Sequence, residues 1–379
     1  MNLTTHVAAR RGALLALAEA LVNYESPSGD KARCDALADY IAARFAPLGA
    51  VERCANPAGG DHLRVSIAAP NAPTAVRPTL VLCHYDTVWP AGTLATRPLH
   101  VAGDTAYGPG LYDMKVSIAL AELALRAVGE LGLKLARPVT LLFTSDEEIG
   151  SPTSRALIEA TARASEHVLV LEPPVEPTGA LKTARKGGGA FFITLTGRAS
   201  HAGVEPEKGR SAVTELAHQI LAVNALAEPA CGTTVNVGVV RGGSGCNVVP
   251  AEATLDVDVR VWTSDEAARL EAAFRALAPQ TPDVQLAVRG GLNRPPMELT
   301  PASAALFVRV QAIGARLGLH LNEGRTGGGS DGNFTSAAGV PTLDGLGAPG
   351  QGAHANHEQI DIPGTLARLA LLTALLVEL

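Results

Sequence analysis

Cysteine is sparse and shows no pairing pattern: the 379-residue chain holds five, Cys34, Cys54, Cys83, Cys231 and Cys246, with no CxxC spacing. An odd, scattered set indicates neither a disulfide framework nor a thiolate zinc site, and it suits a reducing cytoplasm, the expected location. No block of lysine and arginine stands out and the formal net charge is −6, so no nucleic-acid partner is expected. No apolar run reaches the roughly 18 residues that a membrane span requires, so no membrane partner is expected either. The richest early stretch, Ala13 to Val22, is interrupted by Glu19. Its Ala13, Leu14, Leu15, Leu17, Leu21 and Val22 suit the apolar face of a first helix better than a cleaved leader after Arg10 and Arg11. The Ser26-Pro-Ser-Gly29 turn then stops that helix. There is no internal repeat and no low-complexity tract.

What is present is an α/β pattern. Thr79 to Cys83, Val139 to Thr144 and Val168 to Leu171 are short apolar runs that predict buried parallel strands. Ser117 to Leu131, rich in alanine and leucine at helical spacing, predicts a covering helix, and the whole predicts a mostly parallel sheet flanked by helices. The middle of the chain changes character. Strands over Ala190 to Thr196, Thr233 to Val240, Ala253 to Trp262 and Val284 to Arg289 alternate with helices over Ser211 to Ala227 and Asp265 to Leu277, the latter capped by Ser264. That order is βαββαβ, a ferredoxin-like α+β unit. Helical patterning resumes over Pro301 to Leu317 and Leu366 to Leu379. The expected organisation is a catalytic domain in two parts, 1–183 and 298–379, with a domain inserted at 184–297. Lys186 to Gly189 and Pro295-Pro296 are the expected hinges.

Each predicted strand of the first half ends in ligand-type residues. His84 and Asp86 follow the first, Asp146, Glu147 and Glu148 the second, and Glu172 the third. Ligands of open parallel sheets bind beyond the carboxyl ends of the strands. One acid after a strand is often only a turn former, but three strand ends, joined by Asp113 in the glycine-rich loop Tyr107 to Lys115, point to a metal site. Histidine with carboxylates and no cysteine suits zinc, cobalt or manganese. His84 and Asp86 face the same way on an extended segment, so Asp86 can hydrogen-bond the imidazole. Glu147 and Glu148 are consecutive and cannot share one direction. One can bind metal while the other serves as general base, and a metallohydrolase needs both. Cys83, beside His84, raises a rival reading as a cysteine nucleophile, although it ends an apolar run.

Six segments occur together in order: His84-Tyr-Asp86-Thr-Val, Gly108-Pro-Gly-Leu-Tyr-Asp113-Met-Lys, Asp146-Glu147-Glu148-Ile-Gly150-Ser, Leu171-Glu172-Pro, Ala199-Ser-His201-Ala-Gly203 and Arg325-Thr-Gly-Gly-Gly-Ser-Asp331. Across nearly the whole chain they resemble the M20 metallopeptidases, in particular the glutamate carboxypeptidase branch with the related acetylornithine deacetylases, succinyl-diaminopimelate desuccinylases and aminoacylases. The resemblance implies two Zn2+ per subunit, with Co2+ or Mn2+ as substitutes. It implies that His84 and Glu172 bind one ion, that Glu148 and a late histidine bind the other, and that Asp113 bridges them after a cis Asp113-Met114 peptide. His354 fits the family spacing for that late ligand and His357 does not. Glu147 becomes the base that activates a metal-bridging hydroxide, and Asp86 orients His84. His201, in the insert, is implied to reach the active site of a partner subunit and hold the oxyanion, so a homodimer paired through the insert is expected. Asn247 and Arg260 match substrate-contacting positions. Arg294 adds a cation, and the backbone of Gly328, Gly329 and Ser330 offers amides to the same anion. One departure concerns specificity: glutamate-releasing relatives carry a lysine where Ala180 stands, and Lys182 and Lys186 are only near.

The implied activity is hydrolysis of an amide next to a free carboxylate in a small peptide or N-acyl amino acid. Glutamate carboxypeptidase-like release of a C-terminal residue leads. N-acyl amino acid deacylation, of the acetylornithine deacetylase or aminoacylase type, is the alternative. A catalytically silent peptide-binding relative is the rival of another class, and the presence of every expected ligand type argues against it.

Overall fold

The computed structural model describes residues 3–73 and 75–379. The chain forms two compact units. Unit one takes in the chain up to Thr183 with Leu299–Thr326 and Ser330–Leu379, and unit two takes in Ala184–Glu298 with Gly327–Gly329.

Unit one is built on a mixed six-stranded sheet. Its order is Ala50–Cys54, His62–Ile67, Val139–Thr144, Thr79–His84, His167–Val170, Thr342–Leu343. The first two pairings are antiparallel and the remaining three parallel. Successive side chains of a strand face opposite sides, and the sequence uses both. Val81 and Cys83 enter the larger core, while Leu80 and Leu82 enter a second core on the other face. Helices cover both faces, which is why these strands read as continuous apolar runs. The helix Val116–Glu130 is buried throughout its first ten residues, including Glu122, whose carboxylate accepts hydrogen bonds from Arg44 and Arg126. A helix that is apolar nearly all round belongs inside.

Unit two is a four-stranded antiparallel sheet in the order Thr234–Gly242, Glu252–Val261, Gly187–Thr196, Gln285–Arg294. The helices Ala212–Asn224 and Ser264–Arg275 pack on one face through Leu216, Val223, Leu270 and Phe274. Glu252–Val261 alternates buried and half-buried residues at the period of a sheet with one covered face.

Three details correct the sequence reading. The cap of the helix Ser264–Arg275 is Thr263, whose hydroxyl accepts from the Glu266 amide, while Ser264 hydrogen-bonds Glu298. Gly187 to Gly189 is not a hinge loop: it opens a strand, where a Cβ on Gly187 would lie 2.5 Å from the Pro296 nitrogen. The glycines are there for close backbone approach. The helix Lys31–Phe45 and the strands Ala50–Cys54 and His62–Ile67 have no counterpart in the expected elements. Ala50–Cys54 is a largely exposed edge strand without an apolar run, so its sequence carries little signal.

His167 lies buried in the sheet, its Nε2 3.0 Å from the Thr79 hydroxyl. Burial, with Arg137 and Arg309 nearby, pushes its pKa down from 6.5 to about 3. The folded chain therefore resists protonation at a site that the unfolded chain protonates below pH 6.5. Stability is intact above pH 6.5 and falls as pH drops from there toward 3, by about 2 kcal/mol at pH 5. Urea midpoints of the unaltered protein are expected to fall between pH 7 and pH 5, and those of His167→Asn to fall less. Equal slopes would show that this histidine is not the cause.

Candidate metal centre

The site forms where three strand ends meet two loops of unit one. His84 closes the strand Thr79–His84, and its Nδ1 lies 3.0 Å from the Asp86 carbonyl oxygen and 3.4 Å from the Asp86 carboxylate. Nδ1 is thus committed to Asp86, mainly through the backbone. The far nitrogen, Nε2, faces Asp113 Oδ1 at 3.1 Å and Glu172 Oε1 at 3.6 Å.

Asp113 sits in the turn Leu111–Lys115, where it and Met114 leave helical geometry at φ −115° and −132°, and the peptide between them is cis. The turn is entered through Gly110 at φ +68°, where a Cβ would stand 2.5 Å from Thr87 Cγ2. Only glycine fits both conditions. The other carboxylate oxygen of Asp113, Oδ2, lies 3.3 Å from His354 Nε2, and Glu148 Oε2 lies 3.1 Å from the same nitrogen. His354 is carried at φ +62° on the loop between Gly350–Gln351 and Gln359–Asp361.

Two groups of ligand atoms result, His84 with Asp113 and Glu172, and Asp113 with Glu148 and His354; within each, the atoms lie within 4.8 Å of one another. Asp113 belongs to both. His357, the other late histidine, belongs to neither group. Glu147 is also outside both, on the single 3-10 turn Glu147–Ile149 that carries Glu148. The Asp86 carboxylate accepts from the amides of Glu147 and Glu148, each at 3.2 Å, and from Ser28 Oγ at 2.6 Å. One buried residue therefore seats both groups, His84 mainly through its carbonyl and the acidic turn through its carboxylate. Spacing on one strand suggested only the first contact.

Electrostatics test whether a cation fits. Burial opposes charge on His84, yet Asp113 and Asp86 hold its imidazole well above its ordinary value. Hydrogen bonds that its imidazole donates to the Asp113 and Glu148 carboxylates raise the pKa of His354 to about 10. Burial raises the Glu148 carboxyl, and against burial the two imidazoles lower that of Asp113. Three carboxylates crowded with little water demand positive charge between them. Glu148 Oε1 is buried with no hydrogen-bond partner, a lone-pair donor held in reserve. Nitrogen and oxygen donors in this number suit a divalent ion such as zinc.

The remaining predicted residues lie elsewhere in the described chain. In unit two, Ser200 and His201 pair with Val249 and Val248, and the Asn247 carbonyl accepts from Ala202, so His201 and Asn247 share one short ladder. Both are exposed. Arg260 and Arg294 flank Gly188 on neighbouring strands of that unit. A Cβ on Gly188 would lie 2.8 Å from the Arg260 guanidinium, so the glycine leaves room for that side chain. Arg260 forms a two-pronged pair with Asp258, at 3.1 and 2.9 Å. The carbonyls of Gly328 and Gly329 accept from Arg185. Ser330 departs from expectation. It is fully buried in unit one, its amide donates to Asn333 and its hydroxyl to Asp344, so that amide has no capacity left for a substrate anion. Cys83 also departs from the rival reading, because it lies in the core and burial pushes its thiol far above the reactive range. Ala180 and Lys182 are buried in unit one, whereas Lys186 of unit two stands over the Trp262 ring.

The α/β sheet collects histidines and carboxylates at its strand ends, a donor set that metal-dependent hydrolases use. The chain belongs to the peptidase family M20/M25/M40, which matches residues 80–378. Carboxypeptidase G2 of Pseudomonas sp. (strain RS-16) is 32% identical over 374 residues, 97% of this chain and 89% of that protein. The succinyl-diaminopimelate desuccinylase of Acidovorax ebreus is 30% identical over 91% of this chain and 93% of its own length. Aminopeptidase PepT from Bacillus cereus shares the fold, with a TM-score of 0.80 at 21% identity over 97% of this chain and 98% of that one. Among the described residues, no helix is long and apolar enough to cross a membrane.

Proposed function

We propose that this protein is a two-zinc amidohydrolase that releases a C-terminal residue from a small peptide or N-acyl substrate, in the manner of a glutamate carboxypeptidase. The observation that carries the reading is Asp113 shared by two ligand groups, with Glu147 beside them and outside both. The likeness to carboxypeptidase G2 across 97% of the chain supports the exopeptidase assignment.

In this reading His84, Asp113 and Glu172 hold one ion, and Asp113, Glu148 and His354 the other. When bound, the ions supply Lewis acidity, which lowers the pKa of water and polarises the amide carbonyl. Glu147 takes a proton from the attacking water and passes it to the leaving nitrogen, so the amide and water become a carboxylic acid and an amine. Asp86 keeps the His84 ring turned toward the ligand group and fixes the turn from which Glu147 projects. Arg260 and Asn247, with Arg294 and the Gly329 backbone, meet the substrate carboxylate, where a guanidinium matches the planar anion. His201 donates to the developing oxyanion across a homodimer paired through unit two. The strand Thr234–Gly242, at one edge of that unit's sheet with Val239 and Val240 exposed, supports such pairing. Five unpaired cysteines suit a reducing cytoplasm.

The second reading, an N-acyl amino acid deacylase, is favoured by the desuccinylase likeness. The deciding experiment is kcat/KM across a panel that varies the C-terminal residue on one axis and the acyl group on the other. A carboxypeptidase discriminates mainly on the first axis and a deacylase on the second. Arg260→Ala is expected to raise KM for carboxylate-bearing substrates roughly tenfold, a moderate figure because Asp258 already occupies part of the fork. An unchanged KM would remove Arg260 from the anion site. Two bound metals with no turnover on any panel member would favour the silent binder.

A further inference from the structure

Glu358 plays no part in the chemistry described above, yet its carboxylate accepts four hydrogen bonds beside the candidate metal centre. It is 1% exposed. Oε1 accepts from the amides of Tyr112 at 2.9 Å and Asp113 at 3.1 Å. Oε2 accepts from the Gly110 amide and the Trp89 indole N–H, both at 2.8 Å. All the donors are neutral, and three are consecutive or nearly consecutive backbone groups on the one turn that carries Asp113. The backbone of Glu358 touches both sides: its amide donates to the Ala355 carbonyl at 3.0 Å on the loop that carries His354, and its carbonyl accepts from the Gly108 amide at 3.3 Å. Arg97 repeats the connection, since its guanidinium lies over the Trp89 ring and reaches Asn356 Oδ1 at 3.3 Å.

We infer that Glu358 is a positioning residue that clasps the Asp113 turn to the His354 loop and so sets the separation of the ligands that share one ion, Asp113, Glu148 and His354. The inference rests on the two-metal reading. Its physical basis is that the ladder joining Gln359–Asp361 to Thr105–Tyr107 stops short of both ligands, His354 on a loop at φ +62° and Asp113 in an irregular turn. A buried carboxylate accepting several backbone amides fixes that turn rigidly. Groups that orient ligands commonly govern metal affinity by 10–100-fold without touching the metal.

The test is Glu358→Gln. The amide keeps one acceptor oxygen and turns an NH2 group against two N–H donors. Metal-free protein is titrated with Zn2+ in competition with a chromophoric chelator, and the Co2+-substituted form is followed by its visible spectrum. We expect the weaker of the two Zn2+ affinities of the folded variant to fall by about 10–100-fold, with a changed Co2+ spectrum and a smaller loss at the other position, which shares Asp113. A merely structural role would lower the melting temperature alone; both affinities within twofold of the unaltered protein, with the same spectrum, would overturn the inference. If Glu358→Gln does not fold, Trp89→Phe removes a single donor and is expected to weaken the same ion severalfold, and an unmoved affinity there overturns the inference too. Fewer than two Zn2+ in the unaltered protein would sink the two-metal reading by itself, and Glu358 is then judged on the ion that remains.

Discussion

Glu147→Gln is expected to lower kcat by on the order of 10³-fold, with KM and metal content unchanged. Glutamine has the shape of glutamate but cannot accept the proton. Glu147 and Glu148 occupy one 3-10 turn, and their amides are held by the same Asp86 carboxylate. Adjacent side chains on a helical turn point in different directions, so only one can enter the ligand group. Glu148 does, standing in one group with Asp113 and His354. The neighbouring substitution, Glu148→Gln, is therefore expected to behave differently, lowering metal content as well as turnover. Metal analysis and steady-state kinetics on the two variants separate the roles. A Glu147→Gln enzyme within tenfold of the unaltered rate would remove Glu147 as the base, and an equal loss of metal in both variants would make it a ligand instead.

Metal removal carries the other large effect. Dialysis against a strong chelator is expected to reduce activity by more than about 10³-fold, because water then keeps a pKa near 15.7 instead of about 7. Zn2+ is expected to restore it. Asp113→Asn is expected to prevent restoration and to leave fewer than two ions bound, since Asp113 is the one residue common to both ligand groups. Its two oxygens face different histidines, Nε2 of His84 at 3.1 Å and Nε2 of His354 at 3.3 Å, so an amide nitrogen at either position spoils one group. Full activity in the chelated protein would end the metallohydrolase reading. It would not revive a thiol mechanism, for Cys83 is sealed in the core. Cys83→Ala is accordingly expected to leave kcat within a fewfold of the unaltered enzyme.

Part of the fold was written into local patterns. Val139–Thr144 and Thr79–His84 are apolar because both faces of the sheet are covered, and that shows in sequence as an unbroken run. The alternation along Glu252–Val261 is the mark of a sheet with one covered face, and with its helices it made the second unit legible. The exposed edge strand Ala50–Cys54 has neither mark, because nothing packs hard against it.

The sequence by itself determined which residue types arrive at the strand ends, since His84, Glu148 and Glu172 each follow an apolar run whose direction fixes the edge they reach. It also determined, through glycine, where the chain must bend sharply before Asp113. Only the tertiary structure decided which groups are already spoken for: Asp86 by the acidic turn, Ser330 by Asn333, Arg260 by Asp258, and Glu358 by a turn 245 residues away. The reason is physical. Burial makes an unpartnered polar atom costly, and where the partner comes from depends on how distant segments are brought together, which no local pattern records.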